Sequence, residues 1–285
     1  MTYRDLIHQG QKRLFDAGQG DQAAQLLMAE LCRQKNINLY LEMEEEADAD
    51  LASLYLKDIA LMEEGKPLSY VLGYESFYGY DFIVNEDVLI PRYETEELVE
   101  NILYRYDEHF KGQKVNVCDL ATGSGCIAIS LAKEEPNMNV VATDISKDAI
   151  KVAKMNNEKM GANVKFLIGD MLEPLKGKKF DIFVSNPPYI PDSEEVMPLV
   201  KDNEPNIALF GGDDGMKFYR IILSGLKPYL NKKAMIAFEH GYDKKKEMIE
   251  LANKYFPNAK VEVLKDLEGR DRMTFIYVGD FKWEE

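Results

Sequence analysis

Residues 115–132 read VNVCDLATGSGCIAISLA, and this stretch decides the fold. An apolar run from Val115 to Leu120 enters Gly123 and Gly125, and a helix-forming segment follows at once. Without a Cβ, those glycines let the backbone turn sharply after a strand and approach a ligand closely where the next helix begins. Outward from this point the chain alternates. Strands are expected over 115–120, 139–144, 164–169, 181–185 and 233–238, with helices near 125–134, 147–160, 215–228 and 243–255. Such alternation specifies a parallel sheet covered on both faces, with ligands at the carboxyl ends of the strands. The end differs: KVEVLKD, a short EGRD link and RMTFIYVG give two strands with no helix between them. The expected fold class is α/β, a doubly wound Rossmann-like sheet with an antiparallel C-terminal edge hairpin.

Before this region the pattern is helical. Leu26, Leu27, Glu30 and Leu31, then Leu51, Leu54, Tyr55, Ile59 and Met62, recur at three- and four-residue steps and predict a small all-α domain over 1–67. Residues 68–93, SYVLGYESFYGYDFIVNEDVLI and the Pro91 that follows, read as a β-hairpin linker turning at Gly79. Thr95, followed by Glu96 and Glu97, reads as a helix start. The rest, 94–285, forms the second domain. A length of 285 residues suits two domains of roughly 150 each.

Composition excludes several function classes. No apolar run approaches the roughly 18 residues that span a bilayer, and the first residues carry no signal-peptide stretch. Three cysteines, Cys32, Cys118 and Cys126, lie too far apart for a CxxC pair, and there are only three histidines. This argues against a disulfide framework and a metal centre and for a reducing, cytoplasmic location. The net charge is −15, and residues 1–90 hold 17 acidic against 7 basic side chains, a net −10. Nucleic-acid binders present a basic face to phosphates, so no direct nucleic-acid binding and no membrane association are expected. The acidic run from Glu42 to Asp50 reads as a solvated helix start or loop.

The chemistry collects at strand ends. Asp144 closes the second strand, 19 residues beyond Gly125, where a carboxylate can accept hydrogen bonds from both hydroxyls of a ribose. G-S-G-C-I-A also satisfies the dinucleotide fingerprint, so the loop alone does not separate a nicotinamide dinucleotide from S-adenosylmethionine. After the third strand, Asp170 can accept an adenine amino group and Met171 can pack on the ring. FDIFVSNPPYI, residues 180–190, then delivers Asn186 to a carboxyl end. Pro187 forces Asn186 into an extended conformation, and Pro188 does the same to Pro187. A rigid acceptor pair results, the Asn186 side-chain oxygen and the Pro187 carbonyl, with Tyr189 walling the slot. An amide or aromatic amino nitrogen is a poor nucleophile because its lone pair is delocalised. Two acceptors can hold both its N–H bonds, draw it toward tetrahedral geometry and aim the lone pair at a sulfonium methyl.

With these motifs the chain resembles the HemK/PrmC family, protein-glutamine methyltransferases acting on class-one peptide-chain release factors. DLATGSGCIAI is similar to the family's cofactor loop, VATDIS to its ribose-binding strand and SNPPYI to its substrate motif. VLIPRYETEELVE, NEPNIALFGGDDGMKFY, AFEHG and DLEGRDRM are further matches, so the resemblance covers essentially the whole chain. It implies a class I methyltransferase sheet and methyl transfer from S-adenosylmethionine, leaving S-adenosylhomocysteine, to the side-chain amide nitrogen of glutamine in a Gly-Gly-Gln motif. No metal is implied. Cofactor contacts carry over to Ala121, Thr122, Gly123, Ser124, Gly125, Asp144, Met171 and Asn186, and Asp170, read above from its strand end, joins them. Asn186 and Pro187 are the implied catalytic pair, and Pro188 and Tyr189 complete the substrate motif. A helical domain before the hairpin is also the family arrangement, and since the site motifs all lie between residues 119 and 189, that domain is the expected substrate-recognition module.

Two residues depart from the family pattern. Ala121 replaces the loop's first glycine, harmless if its φ is negative, and Tyr93 replaces the proline of IPRPETE. Arg92, Glu204 and His240 carry no assigned role. The alternatives are methylation of a glutamine in a ribosomal protein, with an unchanged active site, and a DNA or RNA amino-methyltransferase. The latter would have to flip a base and grip phosphates, against the acidic charge of residues 1–90. A non-catalytic binding module would not need Asn186 and both prolines.

Overall fold

The computed structural model describes residues 1–282. The chain forms two compact units, one of residues 1–74 with Val196–Asn203 and one of residues 75–195 with 204–285.

The first unit holds α1 (Tyr3–Asp16), α2 (Gln22–Gln34), α3 (Leu39–Glu42), α4 (Ala49–Glu63) and α5 (Leu68–Leu72), with the short α9 (Pro198–Lys201) from the later segment. Thr2 and Asp5 close a capping box at the start of α1. The core gathers Leu6, Leu14, Leu27, Met28, Leu31, Leu51, Tyr55 and Ile59. Gly10 on α1 lets α4 approach, since a Cβ there would lie 2.1 Å from the Tyr55 hydroxyl. Burial follows a slightly different stripe from the one expected: Leu26 and Leu54 are exposed, and Met28 packs inside. In the acidic run Asp48 caps α4 by accepting from the Leu51 N–H at 2.9 Å.

The linker is part helix. Residues 68–72, expected as strand, form α5, because Tyr70 buries and Leu68, Val71 and Leu72 pack on the helical core. Gly73 ends it at φ +79°. The hairpin is confined to β1 (Tyr74–Phe77) and β2 (Tyr80–Ile83). Its two-residue turn, Tyr78 and Gly79, has positive φ at both positions, as a type I′ turn requires. The next helix, α6 (Tyr93–His109), also starts earlier than expected. Arg92 holds the cap position in extended backbone without a side-chain cap bond, and Thr95 lies inside the first turn with its side chain buried. Tyr93 is the first helical residue. Proline is favoured there, since its missing N–H would have no intrahelical partner, so tyrosine at this position leaves the helix intact.

The second unit is built on β3 (Val115–Leu120), α7 (Cys126–Glu134), β4 (Met138–Asp144), α8 (Lys147–Met160), β5 (Lys165–Ile168), β6 (Phe180–Ser185), α10 (Lys217–Gly225), β7 (Leu230–Glu239), α11 (Lys245–Tyr255), β8 (Lys260–Lys265) and β9 (Asp271–Val278). The sheet order is β5-β4-β3-β6-β7-β9-β8, parallel from β5 to β7, with β9 antiparallel to both of its neighbours. Strand alternation sends Val117, Ile182, Val184, Met235, Ala237 and Phe275 to a core that also holds residues of α6 and α7. Cys118, Phe183, Ile236, Phe238 and Ile276 join the opposite core with residues of α10 and α11. Both faces are covered, as a parallel sheet demands. Among the described residues no helix is long and apolar enough to cross a membrane.

The order reverses between β3 and β6: β4 and β5 extend the sheet to one side of β3, β6 and β7 to the other. The two strands end level, with Leu120 paired to Ser185, and the Ser185 hydroxyl donates to the Leu120 carbonyl at 2.6 Å. Such a switch point opens a crevice at the carboxyl ends.

A buried amide pins the hairpin to this crevice. Asn156 on α8 accepts from the Ile83 N–H at 2.6 Å and donates to the carbonyls of Ile83 at 3.0 Å and Ser124 at 2.9 Å. Asn156→Ala strips partners from three backbone groups and should destabilise the protein by about 2–4 kcal/mol. Urea denaturation checks this, and a loss below about 0.5 kcal/mol would mean that water replaces the amide at no cost.

Candidate active site

The crevice is a cavity of about 360 Å³, within the size class of small-molecule sites. Its wall takes Ala121–Ser124 from the loop after β3, Asp144–Ser146 after β4, Gly169–Met171 after β5, Asn186 and Pro188 after β6, and Thr95 from α6. Residues 87–89, Pro91 and Arg92 close one side, and Pro205, Ile207 and Ala208 close another. The sequence-derived residues from the loop, Asp144, Asp170, Met171 and Asn186 therefore share one wall, together with Ser124, which is buried. Gly125, Pro187 and Tyr189 are not among the residues that line the cavity. Gly125, at φ +83°, is held by packing: a Cβ there would meet Ile129 at 3.0 Å and Ala153 at 3.2 Å. Gly123, at φ +55°, would carry a Cβ with nothing within 4 Å, so its backbone is open to a close-lying ligand.

Asp144 organises the loop. One oxygen accepts from the Gly123 N–H and the other from the Ser146 N–H, both at 2.9 Å. Burial raises its carboxyl above the ordinary value, and the backbone donors pull it back. Each oxygen keeps a further acceptor position for a ligand hydroxyl. Beneath the loop lies Asp119, a group the sequence reading passed over. It is fully buried, accepts the Thr122 hydroxyl on one oxygen and has no hydrogen-bond partner on the other. Desolvation pushes it up to about 7. Cys126 also lines the cavity, with its thiol pushed by burial up to about 12, so at neutral pH it is no nucleophile.

The backbone at the loop's first residue decides whether its alanine is harmless. Ala121 has φ +60°, the left-handed region that favours glycine, so its replacement of glycine carries strain. Met171, also in the wall, has φ +41°.

The Asn186–Tyr189 segment is fixed from behind. Ile190 donates to the Leu209 carbonyl at 3.0 Å, and Gly211 returns a bond to the Ile190 carbonyl at 2.8 Å. Gly211 and Gly215 leave no room for side chains, since a Cβ would lie 2.6 Å from the Pro188 carbonyl or 2.2 Å from that of Tyr189. Asn186 donates from its Nδ2 to the Thr95 hydroxyl at 3.2 Å. Tyr189 does not wall the cavity; its hydroxyl turns to Glu239 at 3.3 Å.

Residues 5–73 match the family described as "PrmC N-terminal domain" and residues 98–202 the "Methyltransferase small domain". The release factor glutamine methyltransferase of Bacillus anthracis is 42% identical over 266 residues, 92% of this chain and 94% of that protein. The chain belongs to the release factor glutamine methyltransferase family. It is a methyltransferase. The Bacillus subtilis member is likewise 42% identical, over 91% of this chain and 92% of its own. A methyltransferase structure from Pyrococcus furiosus, 16% identical, superposes with a TM-score of 0.53 over 82% of this chain and 100% of that one, which shows the shared fold.

The three residues left open by the sequence have structural work. Buried Glu204 accepts from the Ile90 N–H at 3.0 Å and pairs with the Arg92 guanidinium, fixing the extended segment along the cavity. His240 lies outside the wall, with Nδ1 against the Gly241 carbonyl and Nε2 against the Thr274 hydroxyl, each at 2.9 Å. Burial lowers its pKa and favours the neutral ring.

Ala121→Gly should relieve the left-handed strain and raise stability by about 0.5–1 kcal/mol, read by thermal or urea unfolding. Asp119 gives a pH test. Its folded pKa is raised, so the wild type loses stability as pH rises from the unfolded value, about 4, to about 7. Asp119→Asn lacks this loss. The stability of the variant relative to the wild type should climb by up to about 1.4 kcal/mol per pH unit across that window and stay level above it. A difference independent of pH would show that Asp119 titrates normally.

Proposed function

We propose that this methyltransferase takes its methyl group from S-adenosylmethionine and places it on the side-chain amide nitrogen of the glutamine in the Gly-Gly-Gln motif of a class-one release factor. One observation carries the reading: the acidic nucleoside-type pocket and Asn186 share a single cavity wall at the switch point. The residues fit the cofactor. Asp144 suits two vicinal hydroxyls, while Asp170 and the apolar Met171, Ile145 and Ile127 suit an adenine. The open backbone at Gly123, with Ala121, Thr122, Ser124 and Gly125, completes the cradle. When bound, S-adenosylmethionine supplies an electrophilic sulfonium methyl.

The chain's own groups prepare the nitrogen. The Asn186 Oδ1 and the Pro187 carbonyl accept its two N–H bonds, and Pro188 and Tyr189 hold that pair rigid. Acceptors so placed favour positive charge developing on nitrogen. A general base is not needed before transfer. The acidic helical unit recognises the release factor through charge, and the three buried free cysteines suit a reducing cytoplasm.

Mass spectrometry of a release factor incubated with the enzyme and S-adenosylmethionine tests the reading. One methyl group should appear on the Gly-Gly-Gln glutamine; an unmodified peptide after many enzyme equivalents rules the substrate out. Asn186→Ala should slow methylation on the order of 100-fold or more. Cofactor binding in that variant, followed by calorimetry, should fall much less than the rate does.

A further inference from the structure

Asn186 can act as an acceptor only if its carboxamide faces the target with oxygen rather than NH₂. Left to itself, a carboxamide can turn over, and the reversed form would set two donors against a nitrogen that is itself a donor. The structure shows what decides the matter. Glu239, the last residue of β7, is buried beside the crevice, and β6 and β7 pair at Ser185 and Phe238, one residue before Asn186 and Glu239. The Thr95 hydroxyl donates to Glu239 Oε2 at 2.7 Å. A hydroxyl has a single hydrogen. With that hydrogen committed to the carboxylate, Thr95 Oγ1 can only accept, so the group of Asn186 that meets it at 3.2 Å must be the NH₂. Oδ1 is thereby left free of Thr95.

We propose that Glu239 and Thr95 are positioning residues that lock the Asn186 carboxamide with its oxygen toward the target nitrogen. The inference rests on the reading of Asn186 given above. The same group accepts the Tyr189 hydroxyl on Oε1 at 3.3 Å, so both ends of the Asn-Pro-Pro-Tyr segment are referred to one buried carboxyl side chain. Burial raises the Glu239 carboxyl above its ordinary value, and the Thr95 hydroxyl, the Arg272 charge and the Tyr189 hydroxyl pull it back. A carboxylate with both oxygens accepting keeps the hydroxyl of Thr95 pointing one way.

The test separates hydroxyl direction from packing. Thr95→Val keeps the shape and removes the hydroxyl; Thr95→Ser keeps the hydroxyl and loses a methyl. A relay predicts that the valine variant loses about tenfold or more in kcat while KM for release factor and affinity for S-adenosylmethionine change little. The serine variant should stay within about threefold of wild type. Thr95→Ala, which also lacks the hydroxyl, replaces the valine variant if that one fails to fold. A packing role predicts the reverse ranking, and serine as impaired as valine overturns the relay. Nuclear magnetic resonance of the Asn186 side-chain NH₂ in cofactor-free protein gives a readout apart from turnover. Its proton signals should be shifted and exchange slowly in wild type and Thr95→Ser and become solvent-like in Thr95→Val. Unchanged signals in the valine variant overturn the proposal. Wild-type protein that leaves release factor unmethylated defeats the substrate reading instead, and the carboxamide signals then decide the relay alone.

Discussion

The parallel pairing of β3 with β6 is the constraint on which the site depends. Leu120 and Ser185 end their strands side by side, and the chain leaves the sheet at Ala121 on one side and at Asn186 on the other. Every group in the crevice is placed relative to those two exits. A slip of one residue in this register would move Asn186 by about 3.3 Å and send its side chain to the opposite face. Burial on both faces forbids such a slip, because Val117, Cys118, Ile182 and Phe183 would each trade one core for the other. The precision of the site is thus inherited from the packing of the sheet.

Around that rigid frame, local rules are broken along the crevice. Ala121 and Met171 hold left-handed backbone without being glycine, and Asp119, Asp144 and Glu239 bury carboxyl groups. Such features cost stability and persist only where their surroundings over-determine them. Here the surroundings are backbone N–H groups and hydroxyls from the strand ends and from the first turn of α6: Gly123 and Ser146 for Asp144, Thr122 for Asp119, Thr95 and Tyr189 for Glu239. A site assembled this way is organised before any ligand arrives, which is the condition for electrostatic stabilisation without reorganisation.

What the sequence discloses follows the range of the interactions. Strand β3 and helix α8 are read from the chain to the residue, since apolar periodicity and the glycine loop are local signals. The places of Gly123, Asp144 and Asn186 at strand ends are legible for the same reason, since each end is marked by its neighbours. Residues 68–72 mislead because their aromatic and β-branched content suits a strand, while packing on the helical core makes them a helix. Thr95 misleads more instructively. Beside Glu96 and Glu97 it has the composition of a cap, yet its hydroxyl serves Glu239, 144 residues away. Nothing near Thr95 announces that partner. Asn156, which reaches back 73 residues to Ile83, is hidden by the same distance. The sign of φ at Ala121 is also invisible locally, because the side chain present argues for the opposite sign.

The helical unit is discontinuous. Val196–Asn203 belongs to it, and the Asn203 side chain donates to the Gly65 carbonyl at 2.8 Å, although the chain on both sides is part of the sheet unit. The polypeptide therefore passes from one unit to the other three times rather than once. On the ribosome the amino-terminal helices emerge early, but their full complement of contacts exists only after β3, β4, β5 and β6 have been synthesised. A single proteolytic cut between residues 74 and 75 would leave a helical fragment without its last strand of chain, and the carboxyl-terminal fragment would retain that orphaned segment. The two units are inseparable in covalent order, so they are inherited, exchanged and completed as one piece.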